Sequence, residues 1–282
     1  MLISVVIPTC NRNDLLAKCL DLLHPSNQII NESYEVIVTD DSKSNSAKSL
    51  IENNYNWVKW IAGPKRGPAA NRNNGAEKAI GDWLIFIDDD CLPQNDILFE
   101  YRSAIIRYPE SLAFEGAILP DNWGLLKRDM SECPVNTEGN CFWSANICIN
   151  KFLFKKVKGF DEDYLIAAQE DQQLKIDIEK AISGKILFLK QCIVIHPVRF
   201  VTVNNQIKRI PIASKNFIIY VKKNKDILNY NSLIDFGFKQ CKFHLKRTLQ
   251  LVKSGRIKSL MVSLAWLFYG VPLNIINFKR HN

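Results

Sequence analysis

Carboxylates cluster at two places in this 282-residue chain in patterns that suit chemistry. The first is Asp88-Asp89-Asp90, directly after the apolar run Trp83-Leu84-Ile85-Phe86-Ile87. Like charges this close repel and raise one another's pKa. Three of them at the end of a buried strand therefore need a compensating partner. In an extended segment residues two apart point the same way, which predicts Asp88 and Asp90 on one face and Asp89 turned away as a structural bystander. Two carboxylates facing a cleft suit a hard divalent cation, Mg2+ or Mn2+, which takes oxygen ligands and relieves the repulsion. The competing reading is a solvated acidic turn in which Asp90 caps the next helix. The second cluster is Glu170-Asp171. If a helix begins there, both lie in its first turn, where the helix dipole favours ionised carboxylates.

The elements around these residues read as a βαβ series. Short apolar or β-rich runs at 2–7, 34–39, 57–61, 83–87 and 111–119 alternate with helical spacing at 13–23, 47–53, 67–80 and 96–107. Asn13 is the expected N-cap of the first helix, and Gly67-Pro68 opens the third. Such alternation gives a mostly parallel sheet covered on both faces. Pro8-Thr9, Asp40-Asp41 and Asp88–Asp90 all fall at strand ends, so topology alone gathers them at the edge where open α/β sheets bind ligands. Past residue 120 the pattern loosens. Residues 121–139 are polar and irregular, 140–150 is expected to be extended, 151–158 a short helix, 170–182 a helix, and 185–195 one or two strands ending in His196-Pro197. From about 205 onward nearly everything reads as helix. The expected domains are 1–200, with a nucleotide-binding half to 120 and an acceptor half from 121, and a helical extension over 201–282.

Five ordered segments resemble glycosyltransferase family 2: ISVVIPTCNR (3–12), EVIVTDDS (35–42), GPAANRNNGAEKAIGDWLIFIDDDCLP (67–93), GFDEDYLIAAQEDQQL (159–174) and VIHPVR (194–199). Together they cover roughly residues 2–199; each is weak alone, and their order makes them specific. The resemblance implies a GT-A fold: a Rossmann-like α/β domain with a mixed, mostly parallel central sheet and helices on both faces, here with a C-terminal helical extension. It implies an inverting transfer of sugar from a nucleotide-diphosphate sugar donor to the hydroxyl of a glycan or lipid-linked acceptor, with Mn2+ or Mg2+ as cofactor. Asp88 and Asp90 match the family's Asp-x-Asp, Asp90 as metal ligand and Asp88 near the ribose or the metal's waters. His196 sits where many relatives place a further metal ligand; as a lone His at a strand end it reads equally as a hydrogen-bonded structural residue. Pro8, Thr9 and Arg12 occupy a loop used for nucleotide contacts, Asp41 matches the carboxylate that reads the base, and Arg72 would approach base or diphosphate unless it forms a surface ion pair. Asp171 resembles the catalytic base, with Glu170 beside it directed to the acceptor or a supporting hydrogen bond. Two positions depart from the family: Cys10 where many relatives have Tyr, and Ser42 where many have Gly. Both bear on the identity of the base. A non-catalytic scaffold or sugar-binding protein on the same fold is the alternative function. A sugar nucleotidyltransferase is a weaker one, since PTCNR is not the glycine-rich phosphate loop it would want.

Charge is unevenly distributed. From Arg199 onward 16 Lys/Arg face 2 Asp/Glu, which leaves 21 basic and 27 acidic residues before it. Phe238, Cys241, Leu245, Leu249 and Val252 share one helical face beside Lys239, Lys242, Lys246 and Lys253, a basic amphipathic helix. Residues 259–278 then run uncharged, long enough for a bilayer core but interrupted by Gly270 and Pro272. Spanning, docking on a membrane surface and packing on the core all remain open for this stretch. The apolar run fits a membrane better than nucleic acid, which is not an expected partner. The N-terminus does not resemble a secretory signal, and the eight cysteines include no CxxC pair. Reduced thiols are therefore expected, in a cytoplasmic protein working at the cytoplasmic face of the membrane.

Overall fold

The structure, a computed structural model, describes residues 1–182, 184–228, 230 and 232–280. In chain order its elements are β1 (Ile3–Thr9), α1 (Asn13–Leu22), β2 (Tyr34–Asp40), α2 (Ala47–Asn54), β3 (Lys59–Ala62), α3 (Pro68–Lys78), β4 (Trp83–Ile87), β5 (Leu92–Pro93), α4 (Ile97–Arg107) and β6 (Ala113–Pro120). There follow α5 (Trp123–Leu126), β7 (Ser131–Glu132), β8 (Asn146–Asn150), α6 (Lys151–Lys156), α7 (Glu170–Ala181), β9 (Leu187–His196), β10 (Arg199–Phe200), α8 (Val203–Lys223), α9 (Lys225–Leu228), α10 (Leu233–Ser254), α11 (Ile257–Ala265) and α12 (Val271–Arg280). They fall into two compact units. One comprises Met1–Asp121 with Pro134–Pro197, the other Asn122–Cys133 with the residues from Val198 on.

The first unit is built on an eight-stranded sheet in the order β3-β2-β1-β4-β8-β6-β9-β5. Its left half is parallel; β8 runs antiparallel to both β4 and β6, and β5 antiparallel to β9. The alternation of each strand decides which layer it feeds. Val5, Ile7, Val36, Val38, Ile85 and Ile87 pack with α1, α2 and α4. Val6, Ile37, Leu84 and Phe86 pack on the opposite side with α3, α6 and α7. Strands buried on both faces are why these runs read as continuously apolar. Helix α3 lies unusually close to the sheet: a Cβ on Gly75 would sit 2.4 Å from Val6 Cγ1. The chain crosses from β1 to β2 on one side and returns through β3 and α3 to β4 on the other, so the sheet's switch point is the β1–β4 crevice.

Two local expectations are corrected. Arg12, not Asn13, holds the position before α1, and the Asn13 amide instead donates to Ser46 O at 2.7 Å. Of residues 140–150 only Asn146–Asn150 is a strand, because 140–142 is bent by positive φ at Asn140 and Phe142.

The second unit is helical. The sequence pattern offers no sign that the excursion Asn122–Cys133 clusters with it. Within the unit β7 pairs with β10, and the Asp129 carboxylate caps α11 by accepting from the amides of Lys258 (2.8 Å) and Ser259 (3.1 Å) and from the Ser259 hydroxyl. Gly270 and Pro272 do not interrupt the last helix. Residues 266–270 form a π-helical turn in which Val271 N–H bonds to Trp266 O, and this widening comes just before Pro272, which has no N–H to give. The result is one helix over Ile257–Lys279, long and apolar enough to cross a membrane.

Candidate active site: two acidic clusters joined by Arg72

Strand β4 ends at Ile87, and the three carboxylates form a turn rather than a strand extension, closed by Cys91 N–H to Asp88 O at 3.0 Å. The two-residue alternation therefore does not reach them, and the expected grouping is corrected. Asp89 and Asp90 share one partner, while Asp88 faces another. Register explains Asp89: β1 lies beside β4 with Val6 opposite Phe86, so the end of β1 reaches the turn. Thr9 Oγ1 donates to Asp89 at 2.7 Å, and the Arg12 guanidinium donates through Nε at 3.1 Å and ion-pairs at 2.5 Å. Arg12 also reaches Asp90 Oδ2 at 3.0 Å. Asp89 is thus no bystander but the fully buried anchor of Arg12. Burial pushes its pKa up to about 7, against the pull of Arg12 and Thr9.

Asp90 Oδ1 lies 3.5 Å from His196 Nε2 at the end of β9. Asp90, Cys91 and His196 bring their ligand atoms within 4.8 Å of one another, a group able to hold a metal ion. A carboxylate and an imidazole converging at that distance suit a divalent cation. The Cys91 thiol is the poorer match, because a soft sulfur ligand does not suit Mg2+ or Mn2+, which take oxygen and imidazole ligands. Asp88 stands outside this group. Burial would raise its pKa, but Arg72 and Arg12 outweigh that and hold it below the usual carboxylate range.

Arg72 links the two acidic clusters. It lies on α3, and its side chain is only 4% exposed. One nitrogen bonds Asp88 Oδ1 at 2.8 Å and another Glu170 Oε1 at 3.2 Å. A surface ion pair was one sequence expectation; the pair is instead buried and spans 98 residues of sequence to Glu170. Glu170 and Asp171 do open a helix, α7. Burial and the adjacent Asp171 push the Glu170 pKa to about 8 despite Arg72, so it carries a proton at neutral pH. Burial also raises Asp171, opposed by Arg72 and Ser144. Asp171 Oδ1 is a buried oxygen with no hydrogen-bond partner among the described residues.

Of the expected site residues, Thr9, Arg12, Arg72, Asp88, Asp90, Glu170, Asp171 and His196 thus form one connected network at the β1–β4 switch point and the start of α7. Pro8 and Asp41 lie at neighbouring strand ends. Asp41 accepts from the amides of Gly67 (3.0 Å) and Lys65 and so shapes the loop leading into α3. Two further residues carry no sequence signal. Buried Glu115 accepts from the amides of Asn140, Cys141 (3.0 Å) and Phe142 (2.7 Å), and so fixes the loop that brings Ser144 to Asp171.

Polar residues gathered at the switch point of a mixed α/β sheet mark a ligand-binding α/β protein, and the comparisons with known proteins narrow it. Residues 4–114 match the model for glycosyl transferase family 2. The chain is 37% identical over 93 residues to the GalNAc(5)-diNAcBac-PP-undecaprenol beta-1,3-glucosyltransferase of Campylobacter jejuni, covering 31% of this chain and 29% of that protein. It is 34% identical over 96 residues to the poly(ribitol-phosphate) beta-glucosyltransferase of Bacillus spizizenii, covering 32% and 15%. The matched stretch therefore spans less than a third of either relative. Among solved structures, S. aureus TarS 1-349 in complex with UDP superposes with TM-score 0.59 at 15% identity, over 99% of this chain and 89% of that one. Mannosyltransferase PcManGT from Pyrobaculum calidifontis, in complex with GDP-Man and Mn2+, gives 0.57 at 17% over 99% and 73%. The N-terminal part of the chain, residues 4–114, is thus similar to glycosyltransferase family 2, and the fold is the GT-A fold with added C-terminal helices.

Proposed function

We propose that this protein is an inverting glycosyltransferase that moves a sugar from a nucleoside-diphosphate donor to an acceptor hydroxyl. The observation that carries the reading is the buried, unpartnered Oδ1 of Asp171, set beside an arginine whose other end holds Asp88. A carboxylate oxygen that no donor occupies is free to take a proton, and its raised pKa improves it as a base. Asp171 accepts the proton of the acceptor hydroxyl as that oxygen forms its bond to the anomeric carbon and the bond to the diphosphate breaks on the opposite face. Glu170, protonated and bonded to Arg72, steadies the start of α7. Asp90 and His196 would hold Mn2+ or Mg2+, with Asp88 beside them. Bound there, the cation supplies neutralisation of the diphosphate charge. Pro8, Thr9, Arg12 and Asp41 are assigned to the nucleotide, Arg12 through the orientation Asp89 gives it.

The first of the two relatives is named for a polyprenyl-diphosphate-linked substrate. Together with the basic C-terminal helices, this supports a lipid-linked glycan acceptor in cell-surface polysaccharide or glycolipid synthesis, and work at the cytoplasmic face of the membrane. The test is a thermal-shift screen of nucleotide sugars with and without Mn2+, followed by transfer assays on the stabilising donor. Asp171→Asn is expected to lower kcat by about 10²–10⁴-fold while nucleotide binding persists, and Asp90→Ala to remove the Mn2+-dependent part of binding. Full activity in Asp171→Asn overturns the assignment.

A further inference from the structure

Helix α10 is packed inside out. The inward face of α10 is Phe236, Gly237, Gln240, His244 and Thr248, mostly polar. It meets polar residues of the following helices: Thr248 Oγ1 lies 2.9 Å from Ser263 Oγ, and Asn274 Nδ2 donates to Gln240 Oε1 at 3.4 Å. His244 stacks on Trp266 with ring centres 5.4 Å apart. Apolar packing gathers at one end, around Phe236 and Phe278, with Val262 and Val271 also buried on the following helices. The outward face is the reverse. Phe238 is 69% exposed, and Ile234, Leu245, Leu249 and Val252 are exposed on the same side of α10. Phe268, 75% exposed, and Met261 face out from the last helix.

In water this polarity is unfavourable on both counts: polar groups are withdrawn from solvent, and large apolar side chains stay in it. Next to hydrocarbon the preference inverts, since the outward apolar groups are solvated by lipid and interhelical polar contacts hold the helices together. Charge gives the orientation. The apolar stripe of α10 is flanked on its outer side by Lys239, Lys242, Lys246 and Lys253, so the helix carries its cations along an edge rather than at its ends. That is the layout of a helix lying in the plane of a membrane surface, not crossing it. Anionic headgroups are the complement to a stretch that, from Arg199 onward, holds 16 basic and 2 acidic residues.

We propose that the outward face of α10, continued by α11 and α12, is a docking surface for an anionic lipid bilayer, with α10 in the interface and its lysines at the headgroups. This deepens the membrane reading above by naming the face and the lipid charge, and it does not depend on which sugar is transferred. The test is cosedimentation of the full chain, diluted from detergent, with phosphatidylglycerol-containing or pure phosphatidylcholine vesicles. The readout is lipid binding alone, so a failed transfer assay leaves it untouched. The expected result is binding to the anionic vesicles that weakens in 0.5 M salt. Lys242→Glu/Lys246→Glu should weaken it by at least about tenfold. Leu245→Asp/Leu249→Asp should lose a similar factor, about tenfold or more. Both pairs are exposed, so an unchanged circular dichroism spectrum is expected; if either pair unfolds the chain, the single variants Leu249→Asp and Lys246→Glu replace it. Three outcomes overturn the proposal: a wild type that binds neither vesicle, variants that bind as the wild type does, or a stable dimer in solution that Leu245→Asp/Leu249→Asp dissociates. The last would assign the face to a second copy of this chain.

Discussion

Replacing Arg72 by Met keeps the stem and removes the charge that joins the two acidic clusters. The guanidinium is 4% exposed, Glu170 2% and Asp88 24%. Breaking a buried ion pair by removing one member costs about 3–5 kcal/mol, because the remaining charge is left uncompensated. Glu170 titrates at about 8 and so carries no charge to strand at neutral pH. The burden falls on Asp88 and Asp171, which places the cost near the lower limit, about 3 kcal/mol. That corresponds to a fall in Tm of roughly 6–12 °C. The pH dependence separates this account from a simple packing defect. Asp88 has a lowered pKa in the folded state, so its pairing stabilises the fold above its unfolded value near 4 and is lost as pH falls below that. Glu170 ionises only as pH passes about 8, and beside Arg72 its charge is tolerated, whereas beside Met it is not. The gap between wild type and Arg72→Met should therefore be flat from about pH 5 to 7.5, widen above pH 8, and close below pH 4. Thermal unfolding across pH 3.5–9 reads this directly, with Arg72→Lys as the variant that keeps charge but loses the fork. A variant as stable as the wild type, or a gap of constant size from pH 7 to 9, refutes the bridge.

Other consequences follow from the same geometry. Asp89, raised to about 7, binds a proton in the folded chain that the unfolded chain releases near 4. Its contribution is complete below about pH 4 and lost as pH rises through 7, so Asp89→Asn should flatten the stability-versus-pH slope over that window in urea titrations. The same variant loosens Arg12 and should weaken nucleotide binding by about 1.5–3 kcal/mol, the worth of a hydrogen bond to a charged group, read by calorimetry. His196→Ala should abolish stabilisation by Mn2+ in a thermal-shift assay while leaving the Mn2+-free Tm within a few degrees. Gly75→Ala should destabilise by about 1–3 kcal/mol in chemical denaturation despite alanine's better helix propensity, because its Cβ would meet Val6 Cγ1 at 2.4 Å.

How much of this was legible in the sequence depended on whether a feature was periodic or pairwise. The sheet was legible because its strands are buried on both faces and their ends are punctuated by Pro8-Thr9, Asp40-Asp41 and Asp88. The alternation that sorts Val5, Ile7 and Ile85 from Val6, Leu84 and Phe86 continues only while the backbone stays extended. It stops at Ile87, and one hydrogen bond, Cys91 N–H to Asp88 O, turns the three carboxylates out of the pattern. Alternation therefore grouped Asp88 with Asp90, whereas Arg12 groups Asp90 with Asp89. Arg72 is a different case, for the sequence held a sign of its burial. Ala69, Arg72, Ala76 and Ala79 recur at steps of three, four and three, and the three alanines are buried. A lone arginine in a stripe of small residues on a helix that presses against a sheet has no solvent to reach and must meet carboxylates inside. What spacing does not supply is which ones, because Glu170 lies 98 residues away. The C-terminal helices fail for a third reason. Periodicity separated an apolar stripe from a basic one on α10, but it contains no sign of which stripe faces inward. The third face, Gln240, His244 and Thr248, is buried instead. A stripe pattern reports a helix's asymmetry and leaves its solvent unspecified, so a rule calibrated in water turns the apolar side of α10 inward, whereas Phe238, Leu245, Leu249 and Val252 are exposed.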